Sequence, residues 1–191
     1  MLRVLVVEES RERAQAVREG LVRAGHKVVG AIASPLELLG AIERTRPDVI
    51  VIDTESPTRD TIEHLCVVSQ SSPRPIVMFS GDERSEAIRE AVRAGVSAYV
   101  VDGLDPARVR PIIEVAVARF EEFQRMRSEL GAAQQKLLER KLIERAKGIL
   151  MKSRGLDEAA AYNALRRMAM DRNKRISEVA RTVVEIENLL G

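Results

Sequence analysis

Asp48-Val49-Ile50-Val51-Ile52-Asp53 is the stretch that decides the fold: four β-branched residues in succession, closed at each end by a carboxylate. A run this short and apolar on both alternate faces reads as a strand buried on both sides of a sheet. Working outward, the same pattern recurs. Leu2–Val7, His26–Ile32, Pro75–Ser80 and Ser97–Val101 read as four further strands. Between them lie amphipathic stretches that read as helices: Arg11 to Ala24 closed by Gly25, Pro35 to Arg46, Asp60 to Ser69, and Glu83 to Ala94 closed by Gly95. Five βα units with continuous apolar strands predict a five-stranded parallel sheet covered by helices on both faces.

The chain has 191 residues, 45% of them hydrophobic and 3% aromatic, which excludes wholesale disorder. A single cysteine, Cys66, excludes a disulfide framework and a cysteine-rich zinc site, and reads as a small packing residue. No apolar run reaches the roughly 18–20 residues of a membrane span. The opening residues turn acidic at Glu8-Glu9, unlike a secretory signal, so a cytoplasmic protein is expected. The net charge of +2 hides an asymmetry. From Glu139 onward there are twelve Lys/Arg against eight Asp/Glu, whereas the earlier part has nineteen against twenty-one. The two parts are expected to meet different partners.

In an open parallel sheet, ligands bind beyond the carboxyl ends of the strands. The residues at those ends are Glu8 and Glu9, Asp53, Ser80 and Asp102. Three carboxylates on one rim raise one another's pKa unless a cation is present. Oxygen donors of this kind suit Mg²⁺, and a carboxylate can itself accept a phosphoryl group. Residues 1–103 resemble a bacterial response-regulator receiver domain, with the flavodoxin-like strand arrangement that implies. The resemblance puts Glu8 and Glu9 on the metal-binding acidic pair, which would hold Mg²⁺ together with Asp53, the phospho-acceptor position. Pro57 matches the usual proline four residues later, and Ser80 and Tyr99 match the switch residues. One departure stands out: where receivers carry a lysine three residues after the Tyr99 position, this chain has Asp102-Gly103. A carboxylate there repels a phosphoryl group, so the expectation is a receiver scaffold kept as a platform for a protein partner.

Beyond Asp105 the only strong breakers before Gly155 are Pro106 and Pro111, both in the opening turns of a helix. Ala116, Phe123, Leu130 and Leu137 recur every seven residues, with Ile113 and Phe120 beside them and polar Gln134 and Lys141 on the other seam. This predicts a long coiled-coil-type helix and a homodimer. Asp157 caps a second helix with an Ala161, Leu165, Met168 face, and Asp171–Lys174 forms a polar turn. A third helix runs to Leu190, facing inward with Ile176, Val179, Ala180, Val183 and either Val184 or Ile186. Tyr162 and Arg166 share a face at i, i+4, with Arg167 adjacent, an arrangement suited to stacking an unpaired base beside phosphate-holding guanidinium groups. Gly148, inside a helix, implies close approach by a neighbour or ligand.

Residues from about 130 onward resemble the ANTAR family of RNA-binding antitermination modules, carried by Ala146-Lys147-Gly148, Ala161-Tyr162, Leu165-Arg166, Asn173 and Val179-Ala180. With the run Gly95–Leu104, the chain is similar to the NasT group of nitrate and nitrite assimilation regulators, which itself lacks the receiver lysine. The resemblance implies binding to stem-loops in leader RNA and control by a nitrate/nitrite-responsive, NasS-like sensor protein. The expected layout is a receiver over 1–104, a helical dimerisation linker over 105–135 and an ANTAR domain over 136–191. Lys147, Tyr162, Arg166 and Arg167 are the first candidates for RNA contact, followed by Lys152, Arg154, Asn173 and Lys174. A DNA-binding output is the competing class, but the last helix offers only Arg181, Thr182 and Asn188 for base edges. An enzyme is disfavoured, because no second nucleophile or general acid accompanies Asp53 and the histidines, His26 and His64, read as surface or packing residues.

Overall fold

The computed structural model describes residues 1–101 and 105–190, and the chain divides into two compact units, Met1–Gln124 and Arg125–Gly191. In the first unit, β1 (Arg3–Val7), β2 (Lys27–Ile32), β3 (Val49–Thr54), β4 (Ile76–Ser80) and β5 (Ala98–Val101) form one sheet in the order β2-β1-β3-β4-β5, with every pairing parallel. Helices α1 (Arg11–Arg23), α2 (Leu38–Thr45), α3 (Arg59–Ser71) and α4 (Ser85–Arg93) connect them. The stretch predicted as a single helix from Pro35 begins as a 3₁₀ turn, Pro35–Glu37, with the Ser34 side chain capping the Leu36 N–H.

Strand alternation sorts the core into two layers. Leu5, Ile50, Ile52, Ile76 and Met78 face Leu38, Ile42, Leu65, Val68 and Ala91 from α2, α3 and α4. Val4, Val6, Val49, Val51, Val77 and Phe79 face Val17 and Leu21 of α1 and Val109, Ile113 and Ala116 of α5 (Pro106–Arg154). The opening turns of α5, which the heptad pattern assigned to the dimer stripe, therefore complete the second face of the sheet. Ile113 and Ala116 are fully buried there, whereas the stripe is exposed from Phe123 onward.

Helix ends follow their sequence signals. Ser10, Thr58 and Asp157 accept backbone N–H bonds at the starts of α1, α3 and α6 (Glu158–Asp171). Gly95 closes α4 at φ +104, and a Cβ there would lie 2.6 Å from that of Ser69, so both backbone conformation and space demand glycine.

In the second unit the C-terminal part of α5, α6 and α7 (Ile176–Leu190) share a small core of Ala146, Leu150, Ala161, Leu165, Ala169, Val179, Ala180 and Val184. Val184 takes the inward position on α7 and Ile186 is exposed. Among the described residues, no helix is long and apolar enough to cross a membrane.

Ile113→Ala removes a fully buried side chain from the layer beneath α5. It is expected to destabilise the chain by about 2–4 kcal/mol in urea unfolding. A cost under half a kcal/mol would mean that the sheet does not need this helix.

Candidate functional site

Register brings the carboxylates together. Val7 pairs with Ile52, and Thr54 with Ser80, so the residues following β1 meet the ends of β3 and β4 at one edge. Glu8 is buried, 4% exposed. Its Oε1 accepts the Ser10 N–H at 2.8 Å and the Arg13 Nε–H at 3.1 Å. Its Oε2 is buried with no partner. Asp53 is half-buried beside Glu8, and its carboxyl is pushed up to about 6, first by burial and then by the Glu8 charge; Arg13 acts the other way. Two carboxyl groups that face each other out of water need a shared proton or a cation between them.

That arrangement fits a divalent cation, with Glu8 and Asp53 as the side chains that would hold it. Such an ion would supply positive charge beside a phosphoryl group on Asp53. The predicted trio becomes a pair, however. Glu9 is exposed, and among the described residues no three His, Cys, Asp or Glu side chains gather into a cation site. Glu9 lies in the bend that leads from β1 into α1, where its side chain meets solvent.

The switch positions are tied to backbone. Ser80 is buried, its hydroxyl donating to the Glu55 carbonyl at 3.1 Å and accepting the Asp82 N–H at 3.1 Å. Tyr99 donates its hydroxyl to the Asp82 carbonyl at 2.7 Å. Asp82 binds Arg84 and Ser56, which hold its carboxyl below the usual range. Ser80 must surrender its bond to Glu55 before it can donate to anything arriving on Asp53. Asp102, the departure from the receiver pattern, lies outside the described residues, as do Gly103 and Leu104.

Arg13 was missed in the sequence. It also reaches Glu55 at 3.5 Å, which makes it the cation of this pocket. The available signal was a basic residue in the first turn of α1, where the helix dipole favours acids.

In the second unit the candidate RNA contacts separate. Lys147 is 7% exposed, and its ammonium lies 2.8 Å from Glu144 and 2.7 Å from Glu158. Both carboxylates raise its pKa. It ties α5 to α6 through this pair of carboxylates, so of the first-ranked RNA candidates it is the one already engaged in ion pairs within the unit. Arg166, Asn173 and Lys174 line one groove of about 600 Å³, joined there by Arg175, Met170 and Glu139, which the sequence did not single out. Among the described residues no carboxylate pairs with Arg166, Lys174 or Arg175. Tyr162, 42% exposed, sits one turn before Arg166 on α6. Arg167, Lys152 and Arg154 are exposed outside the groove lining.

Gly148 does not mark a close neighbour within the chain. A Cβ added there would meet nothing within 4 Å.

Two outcomes follow for stability. Asp53 binds its proton more tightly folded than unfolded, about 6 against 3.8. Its ionisation therefore costs nothing below the unfolded value, and the penalty grows as pH rises through the folded one. Asp53→Asn is expected to raise Tm by roughly 2–4 °C at pH 7.5, with the gain gone near pH 4 in calorimetry. An equal change at both pH values would dismiss the facing pair. Gly148→Ala is expected to stabilise the chain by about 0.5–1 kcal/mol, because helix propensity acts there with no steric cost; urea midpoints give the answer.

Residues 4–114 match the response regulator receiver domain family, and residues 131–184 match the ANTAR domain family. The transcriptional regulatory protein PdtaR of Mycobacterium tuberculosis is 32% identical over 183 residues, covering 96% of this chain and 89% of that one. A nitrate regulatory protein of Klebsiella oxytoca is 44% identical over 68 residues, 36% of this chain and 17% of that one. Among solved structures, the response regulator domain of Thermotoga maritima CheB is 27% identical with a TM-score of 0.53, covering 63% of this chain and 97% of that one. Together with the parallel sheet, its carboxylate edge and the three-helix unit, these similarities are those of one family: the chain belongs to the response regulators in which a receiver domain is followed by an ANTAR domain.

Proposed function

We propose that this protein is a transcription antiterminator that binds stem-loops in leader RNA through its ANTAR unit and is governed by a sensor protein acting on its receiver. The observation that carries this reading is the groove of the second unit, where Arg166, Lys174 and Arg175 stand without carboxylate partners beside the Asn173 amide. Uncompensated cations around a concave surface attract phosphate, and looped RNA presents bases that are already unstacked. Tyr162 extends the same face of α6 with an exposed ring able to stack a base. Arg167, Lys152 and Arg154 broaden the cationic field.

The competing reading, a phosphorylation-activated regulator with a DNA-binding output, has less support. Of the three base-edge candidates on α7, Asn188 accepts a bond from Arg145 and Thr182 donates to the Glu178 carbonyl. Only Arg181 remains.

A homodimer through α5 belongs to this reading. Phe123, Met126, Leu130, Leu137 and Leu138 are all more than half exposed, an apolar series at helical spacing that a second copy of α5 would cover. The receiver pocket, with Glu8, Asp53 and Arg13 at its rim, is where a sensor protein or a phosphoryl group would act. Nitrate or nitrite as the upstream signal rests on similarity to the Klebsiella regulator, confined to about a third of this chain.

Fluorescence anisotropy with a leader hairpin and with duplex DNA of the same sequence tests the function. The hairpin is expected to bind and the duplex to compete poorly. Three phosphate contacts would weaken hairpin binding roughly twentyfold between about 50 and 200 mM salt. Tighter binding to the duplex would replace this reading with the DNA-binding one.

A further inference from the structure

We propose that His26 makes the docking of α5 on the first unit proton-sensitive: the neutral imidazole allows Val117–Glu121 to close over it, and the protonated one lifts those turns away. This inference is independent of the RNA-binding reading.

His26 follows the Gly25 turn, at φ +85, and leads into β2 at the edge of the sheet opposite Asp53. Its backbone is clamped. The His26 N–H donates to the Leu21 carbonyl at 3.0 Å, and the Lys27 N–H to the Leu2 carbonyl at 2.8 Å. The residue is 9% exposed, and among the described residues neither ring nitrogen has a hydrogen-bond partner. A neutral imidazole carries one donor and one acceptor, so both are buried unanswered. An apolar side chain would fill the position without that desolvation cost.

The ring lines a cavity of about 440 Å³ whose far wall is α5. Leu2 and Val117 make it apolar, and the end of α1 adds only Ala24 and Gly25. The charged groups are the Met1 ammonium on one side and Arg110, Glu114 and Glu121 of α5 on the other. Arg110 holds Glu114 at 2.9 Å. Burial, then the Met1 ammonium, then Arg110 hold the His26 pKa below its ordinary 6.5, against the pull of Glu114.

Protonation makes both nitrogens donors and sets a cation in a recess that already repels one. Such a charge needs water. The clamped His26 backbone cannot retreat, and Val109, Ile113 and Ala116, all fully buried, hold the start of α5 to the sheet. Beyond Ala116 the helix is less firmly held: Val117 is partly buried, and Ala118 and Glu121 are exposed. These turns are the wall that yields, and they are the last before the exposed stripe that begins at Phe123. The closed form binds the proton less tightly than the open one, so closure is fully stable above 6.5 and weakens as pH falls through that value. An open-state value of 6.5 favours opening by up to about tenfold at pH 5.5.

The test uses the full-length protein. The chain has only two histidines, so imidazole NMR follows His26 directly, and its midpoint is expected below 6.5. Lifted turns lose tertiary support, so their amide hydrogen exchange, corrected for the intrinsic rate, is expected to rise about three- to tenfold between about pH 7.5 and 5.5. The amides of β1 are expected to stay protected. His26→Leu removes the titrating ring and is expected to hold exchange in Val117–Glu121 constant over the same range. Asp53 is present in both proteins, so the difference belongs to His26. Arg110→Gln removes an opposing charge and frees Glu114. It is expected to move the His26 midpoint and the onset of exchange to higher pH together, a test that stands even where His26→Leu does not fold. The proposal is overturned by a His26 midpoint at or above 6.5 in the wild type, by exchange in these turns that does not rise, by an equal rise in His26→Leu, or by an Arg110→Gln midpoint that moves without the exchange.

Discussion

A sheet that is apolar on both faces tolerates water on neither, and this constraint organises the first unit. Leu5, Ile50 and Met78 point one way while Val6, Val51 and Phe79 point the other, so helices must lie on both sides. Crossover connections that supply those helices make every strand parallel. All carboxyl ends then fall at one edge, and the polar residues that end the strands meet there. The second face needs more cover than α1 provides, and the opening turns of α5 complete it through Val109, Ile113 and Ala116. A helix that sequence periodicity offers as a dimer stripe thus begins its course as part of a core.

Electrostatics decide the character of that edge. Glu8 is buried and faces Asp53, so the site has a surplus of negative charge at short range. Arg13 relieves one oxygen of Glu8 and leaves the other unpaired. A proton, a divalent ion or a cationic group of a partner answers that remaining demand equally well in electrostatic terms. The pocket is therefore sensitive to whatever positive charge reaches it, and the Ser80 hydroxyl, committed to the Glu55 carbonyl, must reorient before it serves any anion attached to Asp53.

The second unit works by the opposite logic. Its core is dominated by alanine and valine, which lets three helices approach closely but leaves little apolar area to stabilise them. The Lys147 bridge to Glu144 and Glu158 adds a polar tie across α5 and α6. Using this cation internally leaves Arg166, Lys174 and Arg175 as the groove's charge, displayed around a recess and not along a flat helix face.

The strands, the helix signals and the order of the motifs were legible in the sequence because each depends on neighbours two to four residues away. A period of two for a pleated strand, a cap at Asp157 or a closing glycine at Gly95 is a local matter. Asp53 and Ser80 could be named for the same reason, since each closes a recognisable apolar strand; Tyr99, inside β5, could be named only through the receiver resemblance. Whether a charged side chain is free or committed was not legible, because that depends on residues far along the chain. Lys147 carries the same charge as Lys174, but it is engaged by Glu144 on its own helix and by Glu158, eleven residues on and across a turn, and the second contact is not visible from neighbouring residues. Arg13 entered the carboxylate pocket, and Glu9 left it, through the path of the backbone between β1 and α1. The sequence by itself determined which elements form and where chemistry collects; the tertiary structure decided which charges remain uncompensated, since electrostatic pairing is set by distance in space and not by position in the chain.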